Sequence, residues 1–159
     1  MAVNAYVAPV VTEDLDIVVA TDDLQLVRRL ASAHFRTAEF PDSLNIYDPG
    51  SRLQVQVQLE QRLTAMLTRA TAQEVLGLVL PVAAPEDLVE AKVAAAGDPR
   101  RPPSKRMKDI LDLARLVGAF PSLAERIPEP LRAQVLAGVD PPDEGSSRPS
   151  PDSHQGPRS

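Results

Sequence analysis

The plainest pattern in the chain is an alternation over residues 53–59, where Leu53, Val55, Val57 and Leu59 interleave with Gln54, Gln56 and Gln58. A period of two puts the apolar side chains on one face and the amides on the other, so a strand half-buried against a core is expected. Residues 14–20, Asp-Leu-Asp-Ile-Val-Val-Ala, read as an earlier strand. Arg36–Phe40 and Ser43–Tyr47 are further candidates, the second closed by the turn signal Asp48-Pro49-Gly50. Residues 76–82 suggest one more.

Helical spacing takes over between these segments. Thr21 or Asp22 can cap a helix that continues through Leu24, Val27, Leu30 and Ala31. A second helix is expected over residues 60–69. Pro85 at a first-turn position, with Glu86 and Asp87 beside it, opens a third, which Gly97-Asp98-Pro99 ends. Ser104 is placed to cap the longest helix, over residues 105–120, and Pro128-Glu129-Pro130 introduces a short one reaching residue 137. This mixture of elements implies an α/β (α+β) domain over residues 1–138. Residues 139–159 are rich in Pro, Ser and Gly, with almost no large apolar side chain, and are expected to form a disordered tail that cannot offset its own ordering entropy.

Composition narrows the picture. Hydrophobic residues make up 43% of the chain but aromatics only 3%, so the core must be built from Val, Leu and Ala. The absence of cysteine excludes disulfides and thiolate zinc sites. Neither a membrane-length apolar run nor a secretory leader is visible, and a cytoplasmic location is the expectation. The net charge of −5 argues against a broad nonspecific nucleic-acid surface. Arg100, Arg101, Lys105, Arg106 and Lys108 form a local basic exception. They mark either a solvated helix start or a patch that meets phosphate or a partner.

Three groups of residues could carry chemistry. Asp14 and Asp16 stand two apart on the first strand and so share a face. Such a pair repels itself unless a cation intervenes, and Mg²⁺, which is often held by one or two carboxylates plus substrate phosphates, suits it; an exposed strand start with two solvated acids is the simpler alternative. Lys92 falls in the middle of the apolar set Leu88, Val89, Val93 and Ala96. Its amine must therefore snorkel to the edge or meet an acid or a phosphate. On the long helix Lys105, Asp109 and Asp112 share a stripe, and Lys108 and Asp112 form a further i, i+4 pair. His34 reads as a surface or capping residue. No P-loop or dinucleotide glycine motif is present, and covalent catalysis finds no support.

Residues 2–6 (Ala-Val-Asn-Ala-Tyr) and 11–19 (Val-Thr-Glu-Asp-Leu-Asp-Ile-Val-Val), with Pro85-Glu86-Asp87-Leu88-Val89-Glu90-Ala91-Lys92 and the stretch 98–116 from Asp-Pro-Arg-Arg to Asp-Leu-Ala-Arg-Leu, together resemble the nucleotidyltransferase-like proteins of the AbiEii toxin type. The resemblance covers about residues 2–136. It implies a mixed β-sheet with flanking helices and Mg²⁺-dependent transfer of a nucleotidyl group from a nucleoside triphosphate. It also implies a cognate antitoxin partner and a tRNA or protein acceptor. Asp14 and Asp16 match that family's metal-binding carboxylates; Lys92 matches its lysine, a catalytic residue that would favour the charge developing in transfer; and Lys105, Lys108, Asp109 and Asp112 match its Lys-Asp helix, which contacts phosphate or orders the site. The chain departs from the pattern at two places. It starts where the family's Gly-Gly or Gly-Ser turn would have ended, so a truncated form lacking the phosphate cradle and one core strand is expected. Where many members carry a further carboxylate on the later strand, it has Gln54, Gln56 and Gln58.

Overall fold

Pairing of the alternating segments produces the larger of two sheets among the described residues. The structure, a computed structural model, describes residues 2–59, 61–75 and 77–138. Strands β1 (Asp14–Val18), β2 (Arg36–Phe40), β3 (Ser43–Tyr47) and β4 (Gln54–Gln58) form a four-stranded mixed sheet in the order β1-β4-β3-β2. β1 runs parallel to β4, whereas β2–β3 and β3–β4 are antiparallel. The register sets Leu15 against Val55 and Ile17 against Val57, then Val57 against Leu44 and Val55 against Ile46. These side chains share one face of the sheet, where Val57 and Leu44 are buried. Helix α1 (Leu24–His34) lies beside β2, with Ala31 buried and Arg28 paired to Glu39, which stands on that same apolar face.

A second core forms around helices α2 (Pro85–Gly97) and α3 (Pro103–Ala119), joined by the short α4 (Leu131–Leu136). Val89, Leu113, Leu116, Ile127 and Val135 are all but inaccessible there, and Val3 of the N-terminal turn packs with them. Removing a Leu or Ile of this size from water contributes about 1.5–3 kcal/mol each, so the helical core is a main source of stability. Tyr6 tethers the N-terminal segment to it. Its ring meets Phe120 edge-on, and its hydroxyl donates to the Ala83 carbonyl at 3.1 Å.

Several sequence expectations are corrected. The helix expected over residues 60–69 is, in its described part, a 3₁₀ segment, Gln61–Thr68, in which the Thr68 hydroxyl bonds back to the Ala65 carbonyl. Neither Thr21 nor Asp22 caps α1 through its side chain; a 3₁₀ turn, Thr21–Asp23, leads into the helix. Ser104 does not cap α3, which starts two residues before the expected position 105, with Pro103 in the first turn where its missing N–H costs nothing. The expected strand at 76–82 is β6 (Leu78–Val82), and its partner β5 (Thr71–Val75) was not anticipated. Gly77 links them with φ +77°, a conformation few other residues adopt readily. No helix among the described residues is long and apolar enough to cross a membrane. The tail at 139–159 lies outside the described residues.

Candidate functional site

The sequence-derived residues fall into two groups, and no hydrogen bond or ion pair joins them among the described residues. The first is the acid pair. Asp14 and Asp16 are exposed on β1, which forms one edge of the sheet, and they share a face because alternate strand residues do. The Gln58 side-chain amide donates to Asp16 Oδ1 at 3.1 Å, which orients that carboxylate; among the described residues no donor reaches its second oxygen. In register across β4, Gln54 stands opposite Asp14 and Gln56 opposite Asp16. The glutamine face and the acid face are therefore one surface.

The donors present limit what this surface can hold. Among the described residues there is no group of three or more His, Cys, Asp or Glu side chains able to enclose a metal. Asp48, in the turn between β3 and β4, accepts the Gly50 amide at 2.9 Å. A cation that needs a full protein cage does not fit. An ion such as Mg²⁺, which keeps several waters and takes further oxygens from substrate phosphates, asks for fewer protein ligands than that. A cleft of about 400 Å³ opens near the start of β1, lined by Pro9, Val10, Val11 and Thr12 with Glu74 and Val75 of β5.

The second group is a chain of alternating charges between α2 and α3. Lys92 does not snorkel. Its ammonium donates to Asp109 Oδ1 at 2.9 Å and reaches Asp112 Oδ2 at 2.7 Å. Arg101 closes one end on Asp109 Oδ2 at 2.7 Å, and Arg115 closes the other on Asp112 Oδ1 at 3.0 Å. The Asp109 side chain is only 2% exposed, so its charge depends on these partners. Arg115 also donates to Asn4 Oδ1 at 2.8 Å and to the Ala8 carbonyl at 2.7 Å. That fastens the segment leading into β1 to the helix pair.

Two placements differ from the expectation. Lys105 and Lys108 are exposed and form no ion pair with Asp109 or Asp112 among the described residues; the i, i+4 spacing named the wrong cations. A buried carboxylate gains more from a cation already inside the helix seam than from a lysine whose ammonium can stay hydrated. Arg101 and Arg115 are the partners that spacing alone did not single out, although Arg115 lies three residues after Asp112. Asp87, expected only as a first-turn acid, is buried at 3% exposure and receives a forked contact from Arg69.

The environment of Lys92 sets a pH dependence. Burial by itself would lower its pKa, but its hydrogen bonds to Asp112 and Asp109, with their negative charge, outweigh that and raise it above the ordinary 10.5. A raised lysine pKa contributes stability that is fully present below the unfolded value and is lost as pH climbs through the folded one. The stability difference between wild type and Lys92→Met should thus be constant around neutrality and shrink only beyond pH 10.5. Urea unfolding of both proteins across that range checks it; a difference that vanishes at lower pH would contradict the placement.

No protein-family model matches the chain, and no curated protein matches it.

Proposed function

We propose that the chain is a nucleotidyltransferase-fold protein that holds a Mg²⁺–nucleoside triphosphate on Asp14 and Asp16 and passes the nucleotidyl group to a hydroxyl of a tRNA or protein acceptor. The observation that carries this reading is the pair of exposed carboxylates side by side on an edge strand, one of them oriented by Gln58. The resemblance of the same strand, of Lys92 and of the Asp109/Asp112 helix to the AbiEii-type proteins supports it, as does the mixed sheet.

When bound, Mg²⁺ would neutralise part of the triphosphate charge and so favour the charge that develops on the leaving group. Asp14 and Asp16 fix where the phosphates sit, and Gln58 holds Asp16 in place for that purpose. The acceptor oxygen bonds to the α-phosphorus while the α–β bridging bond breaks and pyrophosphate leaves. The hydroxyl proton passes to water, because Gln54 and Gln56 opposite the acids offer amides, which are poor bases. Lys92 acts at one remove: with Asp109, Asp112 and Arg115 it fixes the helix pair and the segment that enters β1. A cognate antitoxin would be the regulating partner.

The glutamine face favours a second reading, in which the fold binds nucleotide or a protein partner without transfer. Incubation with α-labelled nucleoside triphosphates, Mg²⁺ and bulk tRNA or protein separates the two. The transferase reading expects label in the acceptor and loss of at least about a hundredfold with Asp16→Asn, on the scale of losing an electrostatic catalytic group. Undiminished transfer by that variant would remove Asp16 from the reaction.

A further inference from the structure

The register continues the acid face across the whole sheet. Asp14 pairs with Gln54, Gln54 with Tyr47, and Tyr47 with Arg36, so a carboxylate, an amide, a phenol and a guanidinium stand in one row on one face. The next row runs Asp16, Gln56, Asn45, Ala38. Side-chain contacts agree with this order: Arg36 lies over the Tyr47 ring with its Cζ 5.5 Å from the centroid, and Asn45 donates to the Tyr47 hydroxyl at 3.2 Å. Arg36 is exposed and forms no ion pair among the described residues. Ala38 leaves the surface low beside it, and Phe40, 51% exposed, stands beyond.

We infer that this row is one extended nucleotide site, in which the nucleobase of the triphosphate stacks on the Arg36–Tyr47 pair while its phosphates stay with Asp14 and Asp16; the inference rests on the metal–nucleotide reading above. Strands in a sheet lie about 4.8 Å apart, so Tyr47 stands roughly 10 Å from Asp14, a span that an extended nucleotide can cover from phosphate to base. A guanidinium over a phenol ring brings two planar groups together on an open face, and such groups accept nucleobases with little preference for sequence. Gln54 and Gln56 lie between, where their amides can meet ribose hydroxyls. The polar face that lacks a further carboxylate is thereby given a binding role.

Titration calorimetry of the full chain with Mg²⁺–ATP and, separately, with Mg²⁺–tripolyphosphate tests this. Arg36→Gln and Tyr47→Leu should each weaken ATP by about tenfold, the scale of one lost stacking partner, and leave tripolyphosphate unchanged. Retained tripolyphosphate binding also reports that each variant is folded. Asp14→Asn with Asp16→Asn should abolish both ligands. Unchanged ATP affinity in the Arg36 and Tyr47 variants, or equal weakening of both ligands, overturns the base platform alone. ATP binding that survives loss of the two aspartates, or fails in the wild type, overturns the metal reading and this inference with it.

Discussion

Replacing Lys92 by methionine is expected to destabilise the protein by about 3 kcal/mol, the scale measured when one partner of a buried ion pair is removed. Methionine keeps the length and apolar stem of the side chain, so the loss reports charge rather than packing. Asp109 would keep Arg101 and Asp112 would keep Arg115, which is why the upper end of that scale is not reached. Two substitutions separate this from a generic effect of removing a lysine. Lys105→Met and Lys108→Met, on exposed side chains, should each stay within about 0.5 kcal/mol. The double variant Lys92→Met/Asp109→Leu should recover part of the loss, since one buried charge of each sign has gone. Urea unfolding checks all of them. Equal costs for Lys92 and Lys105 would mean that the helix seam is not held by this network.

What was legible in the sequence depended on how local the determinant is. β2 and β3 could be placed because Arg36–Phe40 and Ser43–Tyr47 flank a tight connection, and β4 because its alternation leaves one consistent face. β5, Thr-Ala-Gln-Glu-Val, has little apolar content and becomes a strand by pairing with β6, which only the folded chain reveals. The 3₁₀ segment Gln61–Thr68 carries helical spacing, but its Thr68 hydroxyl competes for the Ala65 carbonyl, a local bond that periodicity does not register.

The site shows the same division. The shared face of Asp14 and Asp16 follows from strand geometry alone, as does that of the three glutamines, whereas their lying side by side comes only from the pairing of β1 with β4. The burial of Lys92 among apolar positions also follows from 100° per residue. Its partners do not, because Asp109 and Asp112 lie 17 and 20 positions away and meet it only when α2 packs on α3. The tie from Arg115 to Asn4 spans 111 positions and has no local signature at all.

Mg²⁺ with a nucleoside triphosphate is expected to raise the melting temperature, by roughly 8 °C at a hundredfold excess over the dissociation constant, since such an excess contributes about 2.7 kcal/mol. The shift should vanish in Asp14→Asn/Asp16→Asn. Without ligand that variant should melt within a degree or two of wild type: both side chains are exposed and, among the described residues, only the Gln58 contact to Asp16 is altered, which asparagine can still accept through its carbonyl oxygen. The loss would then reflect the missing charge rather than a damaged sheet. Mg²⁺ with the nucleoside alone should give little shift, because two carboxylates hold Mg²⁺ firmly only when phosphate oxygens complete its shell. Differential scanning fluorimetry distinguishes these cases. Equal shifts in wild type and the double variant would move the binding site away from β1, and a shift from the nucleoside alone would show that the phosphates are not what the acid pair recognises.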